Sequence, residues 1–406
     1  MRYARTLLVA SILAVFISAC NTPADIRAPL EPQYGTALED VGSRVATNEA
    51  GQLYTLGTIT DYQGYTYYAE PVLKRFDTSG KELWSRNLGV QCNGGSDVCA
   101  ALAYGLGVDA TGNSFALYGG VQDSYPGFDY EATLEKFSAS GTPLWARAVY
   151  TRFSLNTSNG AGGAAMATTA GGETFVAYSY RDLDTGAISP HLEKYSATGQ
   201  KLFDKPHVID SPSDAVIAGD GSLYIVGTGA IAKYSSAGSL VWQRALPKVP
   251  DSAFEQVAVA GSNVYISVNT DRYAYQTGDK NLIALYKYTG GGTLVWQRTI
   301  TPFNTAMMYG LSADASGNAY LSGQTTPAAG SSDPFARKYT PSGSVAWTYT
   351  AALPDTREVA YDVSAADSGK VYLVGTTDGK VNDQNYGEED AFLLRLDTGG
   401  KKVWSR

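Results

Sequence analysis

The last segment of the chain, LLRLDTGGKKVWSR, recurs with variation at seven places along the sequence. Every copy has a basic residue at its third position, a glycine five residues later and an aromatic residue four residues after the glycine. The basic residues are Arg75, Lys136, Lys194, Lys233, Lys287, Lys338 and Arg395, the glycines are Gly80, Gly141, Gly199, Gly238, Gly292, Gly343 and Gly400, and the aromatic residues are Trp84, Trp145, Phe203, Trp242, Trp296, Trp347 and Trp404. Such recurrence indicates a repeat architecture, a solenoid or a propeller, which can reach 406 residues without one enlarging core.

A second pattern precedes each copy of the first. Segments such as GVDATGNSFALYGG and LSADASGNAYLSGQ join a run of small residues to a glycine turn and a β-rich run. Each repeat therefore predicts four strands: A is rich in small residues, C carries the basic residue and D carries the aromatic residue. Four-stranded units repeated around an axis are typical of a β-propeller. Small side chains suit strand A because the first strands crowd together at the axis, and the repeated glycine supplies the positive φ of a tight C–D hairpin.

We predict an all-β fold, one seven-bladed β-propeller of four-stranded antiparallel blades over residues 35–406. The blades are expected at about 35–89, 90–149, 150–208, 209–247, 248–301, 302–352 and 353–406. Since the last repeat ends two residues after its tryptophan, blade 1 should meet blade 7 without exchanging a strand, although segment 30–42 could also add to blade 7. The strand-C basic residues are expected to make one repeated ion pair between strands or blades, rather than a functional ring of charge.

The N-terminal residues have the pattern of a bacterial export signal. Arg2 and Arg5 precede an apolar run, residues 7–17, that is too short for a standard membrane span. The following Ile-Ser-Ala-Cys sequence resembles a lipobox, which implies cleavage before Cys20, its acylation with palmitate among the chains, and an outer-membrane address, because Asn21 rather than Asp follows. We therefore expect a lipoprotein signal peptide at 1–19 and a lipid-anchored tether at 20–34. An ordinary signal peptide cleaved nearby is the alternative.

The two remaining cysteines, Cys92 and Cys99, lie close together in a glycine-rich stretch. Such a pair in an oxidising envelope compartment predicts a disulfide, which would close the loop locally and add modest stability. A redox or metal pair is the alternative, but the spacing is not C-x-x-C and no histidine is near in sequence.

In a propeller the A–B and C–D turns share one face, and the B–C and D–A connections share the other. The B–C and D–A segments of this chain are long and irregular in length, so binding is expected there. These segments are rich in aromatic residues, which favour protein partners and also stack on sugars. The candidate binding residues are Tyr62, Tyr65, Tyr67, Tyr68, Tyr125, Phe128, Tyr130, Tyr273, Tyr275 and Tyr386. Alternatively, these rings only pack within their own loops.

Acidic residues accompany the aromatic residues in these segments. They are Asp61, Glu70, Asp123, Asp129, Glu131, Asp378, Asp383, Glu388, Glu389 and Asp390. Their oxygen atoms suit Ca²⁺, although no EF-hand spacing is present, and we otherwise expect no metal and no cofactor. The net charge of −8, without a basic stripe, argues against a nucleic-acid partner. His191 and His207 have no nucleophile placed with them, so no catalytic residue is assigned and an enzyme is disfavoured.

The repeat resembles that of a known group of proteins. The pattern DxxGxxYxxGxT, a variable insert and DAFLxRxDxxGxxxW is similar to the SBBP, or seven-bladed β-propeller, repeat of bacterial envelope and secreted proteins, and residues 367–404 match it most closely. The Gly-x3-Trp element also resembles the tryptophan-docking motif of quinoprotein propellers and of an outer-membrane assembly lipoprotein with this kind of fold. The resemblance implies the propeller fold and no common catalytic residues.

Two classes of function remain open. The first hypothesis is a non-catalytic protein-binding scaffold lipoprotein of the bacterial cell envelope, on the periplasmic or surface side of the outer membrane, with an envelope protein or a glycan as its partner. The alternative is a carbohydrate-binding protein or a quinoprotein-like enzyme of the envelope. The first predicts co-purification with another envelope protein, and the second predicts a bound cofactor or turnover of a glycan.

Overall fold

A computed structural model describes residues 41–63, 66–89, 98–124, 127–155, 164–181, 187–227, 229–246, 255–269, 283–300, 306–325, 332–351, 356–366, 369–379 and 389–406. These residues form 28 β-strands, and no helix occurs among them. Each set of four consecutive strands pairs in antiparallel fashion as one blade, and there are seven such sets. The predicted all-β, seven-bladed propeller is therefore confirmed.

The strands follow the order A, B, C, D within every blade. Blades 1 and 2 contain β1 (Val41–Thr47), β2 (Leu53–Gln63), β3 (Thr66–Phe76), β4 (Glu82–Asn87), β5 (Val98–Val108), β6 (Ser114–Ser124), β7 (Gly127–Phe137) and β8 (Pro143–Leu155). Blades 3 and 4 contain β9 (Ala164–Thr168), β10 (Thr174–Arg181), β11 (Ile188–Tyr195), β12 (Lys201–Lys205), β13 (Asp214–Ile217), β14 (Leu223–Gly227), β15 (Ala230–Tyr234) and β16 (Leu240–Ala245). Blades 5, 6 and 7 contain β17 (Glu255–Ala260), β18 (Asn263–Asn269), β19 (Ile283–Thr289), β20 (Leu294–Ile300), β21 (Ala306–Ala313), β22 (Ala319–Thr325), β23 (Asp333–Tyr339), β24 (Val345–Thr350), β25 (Glu358–Ala365), β26 (Val371–Thr377), β27 (Asp390–Leu396) and β28 (Lys402–Ser405).

The A strands form the inner wall of the ring, where each contacts the A strand of both neighbouring blades. Their small residues allow this close approach. A Cβ atom added to Gly105 would lie 2.8 Å from the Cβ atom of Met166, and one added to Gly310 would lie 2.8 Å from the Cα atom of Asp362. Larger side chains at these positions would push neighbouring blades apart, so crowding at the axis explains the small residues of strand A.

The repeated aromatic residue docks each blade on the next one. Gly199, in the C–D turn of blade 3, has a φ of +81°, and a Cβ atom added there would lie 2.7 Å from the Trp145 ring of blade 2. The Trp145 indole nitrogen donates a hydrogen bond of 3.1 Å to the Ala197 carbonyl in the same turn. Equivalent bonds of 3.0–3.1 Å are donated by Trp84, Trp242, Trp296 and Trp347. The turn thus requires glycine for its backbone conformation and for the space that the indole fills.

The strand-C basic residues make a repeated contact between blades. The Lys136 ammonium donates to the Ala197 carbonyl of the next blade at 3.1 Å and lies 4.7 Å from the centre of the Phe115 ring. Lys287 likewise donates to the Pro341 carbonyl at 3.0 Å. The carbonyl contact joins two blades, whereas the cation–π contact and the 3.5 Å ion pair of Lys136 with Asp109 lie within blade 2. Because both lysines are almost fully buried, they form no exposed ring of charge.

The ring closes by direct contact between blades 7 and 1, each of which is built from four consecutive strands. The Val45 N–H donates to the Asp362 carboxylate at 2.9 Å. Trp404 packs on Gly80 as in the other blades, but its buried indole nitrogen has no hydrogen-bond partner among the described residues. Closure without strand exchange is therefore confirmed for the described residues, which do not include the segment before residue 41.

Candidate functional site

The B–C hairpins and D–A connections lie on one face of the propeller, which we call the hairpin face. In blades 1 and 2 the B–C hairpins on this face are regular. The β2 and β3 strands stay paired until Gln63 stands opposite Thr66, and β6 and β7 stay paired until Ser124 stands opposite Gly127. These four strands have 11 residues each, whereas β18 and β19 of blade 5 have 7. At about 3.3 Å per residue, the longer strands extend these hairpins by about 13 Å. The prediction of irregular B–C loops is wrong here, because β-branched and aromatic residues continue the pairing.

The candidate aromatic residues of blades 1 and 2 lie partly on these hairpins. Tyr62 is paired with Tyr67 across the first hairpin, and Tyr68 is paired with Asp61. On the second hairpin, Phe128 is paired with Asp123 and Tyr130 with Val121. Tyr65, Tyr125, Tyr273, Tyr275 and Tyr386 lie outside the described residues. The structure thus brings Tyr62, Tyr67 and Tyr68 together on one hairpin, and their role in binding remains a prediction.

Strand pairing also joins blades 1, 2 and 3 on the hairpin face. β3 of blade 1 runs parallel to β5 of blade 2, with Tyr67 opposite Val98 and Ala69 opposite Ala100. β8 of blade 2 runs antiparallel to β10 of blade 3, with Leu155 opposite Tyr180. The three blades therefore form one continuous sheet of 12 strands, whereas blades 4 to 7 are separate four-stranded sheets.

The predicted disulfide falls on the same part of the molecule. Cys99 lies on β5, opposite Tyr68 of β3, and Cys92 lies outside the described residues. The pairing of Cys92 with Cys99 therefore stays a prediction.

Strand A contains a β-bulge at one equivalent position in four blades. The extra residues are Ser43 in β1, Tyr104 in β5, Tyr309 in β21 and Tyr361 in β25. The rings of Tyr309 and Tyr361 meet edge to face, with their centroids 5.3 Å apart. Bulges redirect side chains and are frequent beside functional sites, so the inner wall is a second candidate region.

Two carboxylates and one guanidinium belong to the A strands at this wall. Asp214 of blade 4 accepts the Val257 N–H of blade 5 at 2.8 Å, as Asp362 of blade 7 accepts the Val45 N–H of blade 1. Burial raises the pKa of Asp214 to about 7 and that of Asp362 to about 6, although Arg44 and the backbone hydrogen bonds act in the opposite direction.

These charged groups are engaged with the backbone of the inner strands. The Arg44 Nε atom donates to the Tyr104 carbonyl at 3.3 Å, and its Nη1 atom donates to the Ser43 carbonyl at 3.0 Å. The second oxygen of Asp214 accepts the Ala215 N–H at 2.9 Å. The three groups therefore tie neighbouring strands together, and this use of their atoms is structural rather than catalytic.

Several acidic residues considered as Ca²⁺ ligands have protein partners instead. The Asp378 carboxylate accepts a hydrogen bond of 3.2 Å from the Arg357 guanidinium, and Glu70 accepts one from the Asn87 amide. Glu389 accepts the Thr376 hydroxyl at 3.2 Å. Asp383 and Glu388 lie outside the described residues. No calcium site is assembled from the acidic side chains that the structure describes.

One further cluster, in blade 3, has the composition of a metal site: His191, Glu193 and Asp204. The His191 Nδ1 atom lies 2.9 Å from the Asp204 carboxylate. Glu193 is buried and accepts hydrogen bonds from Tyr178 at 3.1 Å, from Lys201 at 2.5 Å and from Tyr195. A cation would have to displace a lysine and two hydroxyl donors, so the cluster fits a hydrogen-bond network and not a metal site.

The second histidine, His207, is buried beside this network. Its Nε2 atom lies 2.9 Å from the Tyr178 carbonyl, and its Nδ1 atom accepts the Ile209 N–H at 3.3 Å. The Nε2 atom is therefore the protonated one of a neutral ring. Burial lowers the pKa of His207 to about 4, although the hydrogen bond to Tyr178 opposes this shift.

Sequence reasoning did not single out Arg44, Asp214 or Asp362. Each stands in a strand A, the strand that the repeat pattern makes rich in small residues, so a charged residue within that strand was the available signal. The bulges leave no such mark, because they insert one residue without a glycine or proline at a fixed offset.

Seven blades, inter-blade tryptophan contacts and closure without strand exchange define a repeat-built β-propeller. A family model described as outer membrane protein assembly factor BamB matches residues 69–310, more than half of the chain. The chain belongs to this family. The match supports the quinoprotein-like resemblance of the Gly-x3-Trp element, whereas the SBBP resemblance stays an interpretation of the repeat pattern. No helix suited to crossing a membrane is found in the described part of the chain.

Among solved structures, the WD40 domain of Pan2 from Neurospora crassa has a TM-score of 0.50 and 11% identity, over 86% of this chain and 87% of that chain. The WD40 β-propeller domain of Doa1 has a TM-score of 0.49 and 10% identity, over 89% and 94%. A protein of unknown function from Bacteroides caccae has a TM-score of 0.39 and 15% identity, over 67% and 84%. These likenesses concern the fold alone, and no curated protein matches the chain.

Proposed function

We propose that this protein is a non-catalytic scaffold lipoprotein of the bacterial cell envelope that holds a partner protein on the hairpin face of blades 1, 2 and 3. Membership of a family described as an outer membrane protein assembly factor supports an envelope location and contacts with other envelope proteins.

The observation that carries the proposal is the continuous 12-stranded sheet. Backbone pairing between β3 and β5 and between β8 and β10 makes the hairpin face of three blades one preformed surface. A preformed surface loses little conformational entropy when it binds. The two long hairpins contain Tyr62, Tyr67, Tyr68 and Tyr130, and tyrosine supplies large contact area with few rotatable bonds, which supports binding of a partner at these residues.

The test is site-specific photo-crosslinking in the native membrane. A photoreactive amino acid is placed at Tyr62 or at Phe128 on the hairpins, and at Lys81 or Lys401 in the turns of the opposite face as matched controls. Both turn lysines are exposed. We expect both hairpin positions to capture one common envelope protein and the turn positions to capture none of it.

Capture of the common protein from the turn positions alone would overturn the proposed surface. Failure of every position, with the protein folded and membrane-bound, would overturn the scaffold function. The alternative, a carbohydrate-binding protein or a quinoprotein-like enzyme, would instead be supported by saturable glycan binding or by a cofactor that co-purifies with the protein.

The lipid anchor is tested separately with Cys20→Ala. We expect wild-type protein to incorporate labelled palmitate and to sediment with outer membranes, and the variant to do neither. Labelled, membrane-bound Cys20→Ala protein would show that Cys20 is not the anchor.

The disulfide is tested by mass spectrometry of protein purified from the envelope without reductant. We expect a peptide that joins Cys92 to Cys99 and that separates on reduction. Two alkylated free thiols in that sample would contradict the pairing.

A further inference from the structure

The A–B turn of blade 5 is shorter than those of its neighbours. Five residues, 218–222, separate β13 from β14 in blade 4, and five residues, 314–318, separate β21 from β22 in blade 6. In blade 5 only four residues, 260–263, occupy the equivalent positions, because Val259 is paired with Val264 as Ile217 is with Leu223 and Ala313 with Ala319. The shorter turn removes backbone from the interface with blade 4.

The difference matters because the strand-B tyrosines of blades 1 and 5 use the A–B turn of the next blade. The Tyr54 hydroxyl donates to the Gly112 carbonyl at 2.6 Å, and the Tyr265 hydroxyl donates to the Gly317 carbonyl at 2.6 Å. Tyr224 occupies the same position in blade 4 and faces the short turn. It donates instead to the Gly290 carbonyl of the C–D turn, at 3.4 Å.

The Gly290 carbonyl consequently receives three donors. The Trp242 indole nitrogen lies 3.1 Å away, and the Lys233 ammonium, like the Tyr224 hydroxyl, lies 3.4 Å away. A carbonyl oxygen has two lone pairs, and 3.4 Å is long for a hydrogen bond. At the interface of blades 5 and 6, the Pro341 carbonyl receives Lys287 at 3.0 Å and Trp296 at 3.1 Å. The Gly290 carbonyl therefore has one donor more than its two lone pairs can accept, and Lys233 has Asp220 as a second partner.

These donors line an open cleft between blades 4 and 5, with a volume of about 540 Å³. Val241, Ser262 and Gly291 also line it. Asp220 supplies the opposing charge, 3.5 Å from the Lys233 ammonium, and its side chain is 61% exposed. An exposed carboxylate at this distance is screened by water and salt, so it competes weakly for the lysine.

We propose that this cleft binds the anionic group, carboxylate or phosphate, of a small molecule, with Lys233 and Tyr224 as its donors. An anion oxygen supplies the acceptor that the short turn of blade 5 removed. The cleft is on the face opposite the hairpin face, so the proposal stands independently of the scaffold function.

The test follows the indole N–H signals of ¹⁵N-tryptophan-labelled protein by NMR, at constant ionic strength, during separate titrations with inorganic phosphate and acetate. The Trp242 signal is assigned with Trp242→Phe. We expect a saturable shift of the Trp242 signal with at least one anion. The anion that binds more tightly identifies the bound group as a phosphate or a carboxylate. Tyr224→Phe should weaken binding roughly 3–10-fold, and Lys233→Met should abolish it. Tyr265→Phe and Lys287→Met, at the matched positions of blade 5, should leave it unchanged.

A second variant tests the cause of the site. Replacing residues 260–263 with the five-residue turn sequence of blade 6, DASGN, should return an acceptor to Tyr224 and abolish the shift while the protein stays folded. The proposal is overturned if neither anion gives a saturable shift of Trp242. It is also overturned if binding survives both Lys233→Met and the turn replacement, or if Trp296 responds equally.

Discussion

Trp145 fills the space that a side chain at Gly199 would need, since a Cβ atom added to Gly199 would lie 2.7 Å from the indole ring. The same turn supplies the Ala197 carbonyl to the indole nitrogen at 3.1 Å. One glycine therefore serves both the left-handed backbone of a hairpin, with its φ of +81°, and the docking of the neighbouring blade.

Gly199→Ala should destabilise the protein by about 2–4 kcal/mol, because it combines a left-handed backbone with a clash against Trp145. The change is measured as a lower urea midpoint, followed by tryptophan fluorescence. Gly51→Ala is the matched control, because Gly51 also has a positive φ, +75°, and a Cβ atom added there meets no atom within 4 Å. Equal midpoints for the two variants would contradict the docking role of Gly199.

Trp145→Phe should cost more stability than Trp404→Phe, although both remove an indole from an equivalent interface. Trp145 loses a hydrogen bond to Ala197, whereas the Trp404 indole nitrogen has no partner among the described residues. The difference should be about 1 kcal/mol, the usual net worth of one hydrogen bond. Thermal unfolding of the two variants under identical conditions measures it, and a greater loss for Trp404→Phe would count against the closure geometry described here.

His207 should make the folded state less stable in acid. Its pKa lies near 4 in the folded protein, below the ordinary value of 6.5, so the unfolded chain binds the extra proton first. The contribution of neutral His207 to the free energy of unfolding is fully present above pH 6.5. It is lost as the pH falls towards 4, by up to about 3 kcal/mol. We expect His207→Gln to show a flatter loss of stability than wild type between pH 6.5 and 4, measured by urea unfolding. Parallel pH profiles would show that His207 is not a buried neutral histidine.

Asp214, in contrast, should make the folded state less stable as the pH rises. Its pKa is raised from 3.8 to about 7, so the folded protein holds a proton that the unfolded chain releases. Stability from this group is present at low pH and is lost as the pH rises from 3.8 to about 7, by about 1 kcal/mol per pH unit. Wild type should therefore lose stability relative to Asp214→Asn between pH 5 and 7. A stability difference that does not change with pH would show that the pKa of the Asp214 carboxyl is not raised in the folded protein.

The turns and docking contacts were predictable because each repeat contains its own residues for them. The C–D turn requires a residue with positive φ, which is Gly199, and the large apolar ring of Trp145 is expected to be buried. The fixed spacing of the two residues in each repeat places them in facing blades. The extended hairpins were not predictable. Whether a segment after Thr60 continues as a strand depends on its pairing with residues beyond the turn and with β5 of the next blade, and sequence periodicity does not encode that pairing.

The number of blades, their strand order and the contacts that repeat from blade to blade follow from the amino-acid sequence, because they depend on residues close together in the chain. Which residues meet at the inner wall, and where the blades leave a cleft, depends on how the folded blades pack around the ring. Val45 and Asp362 are 317 residues apart and meet only because the ring closes. Tyr224 lacks its usual acceptor because a turn in the next blade is short, and that consequence exists only once the two blades are packed side by side.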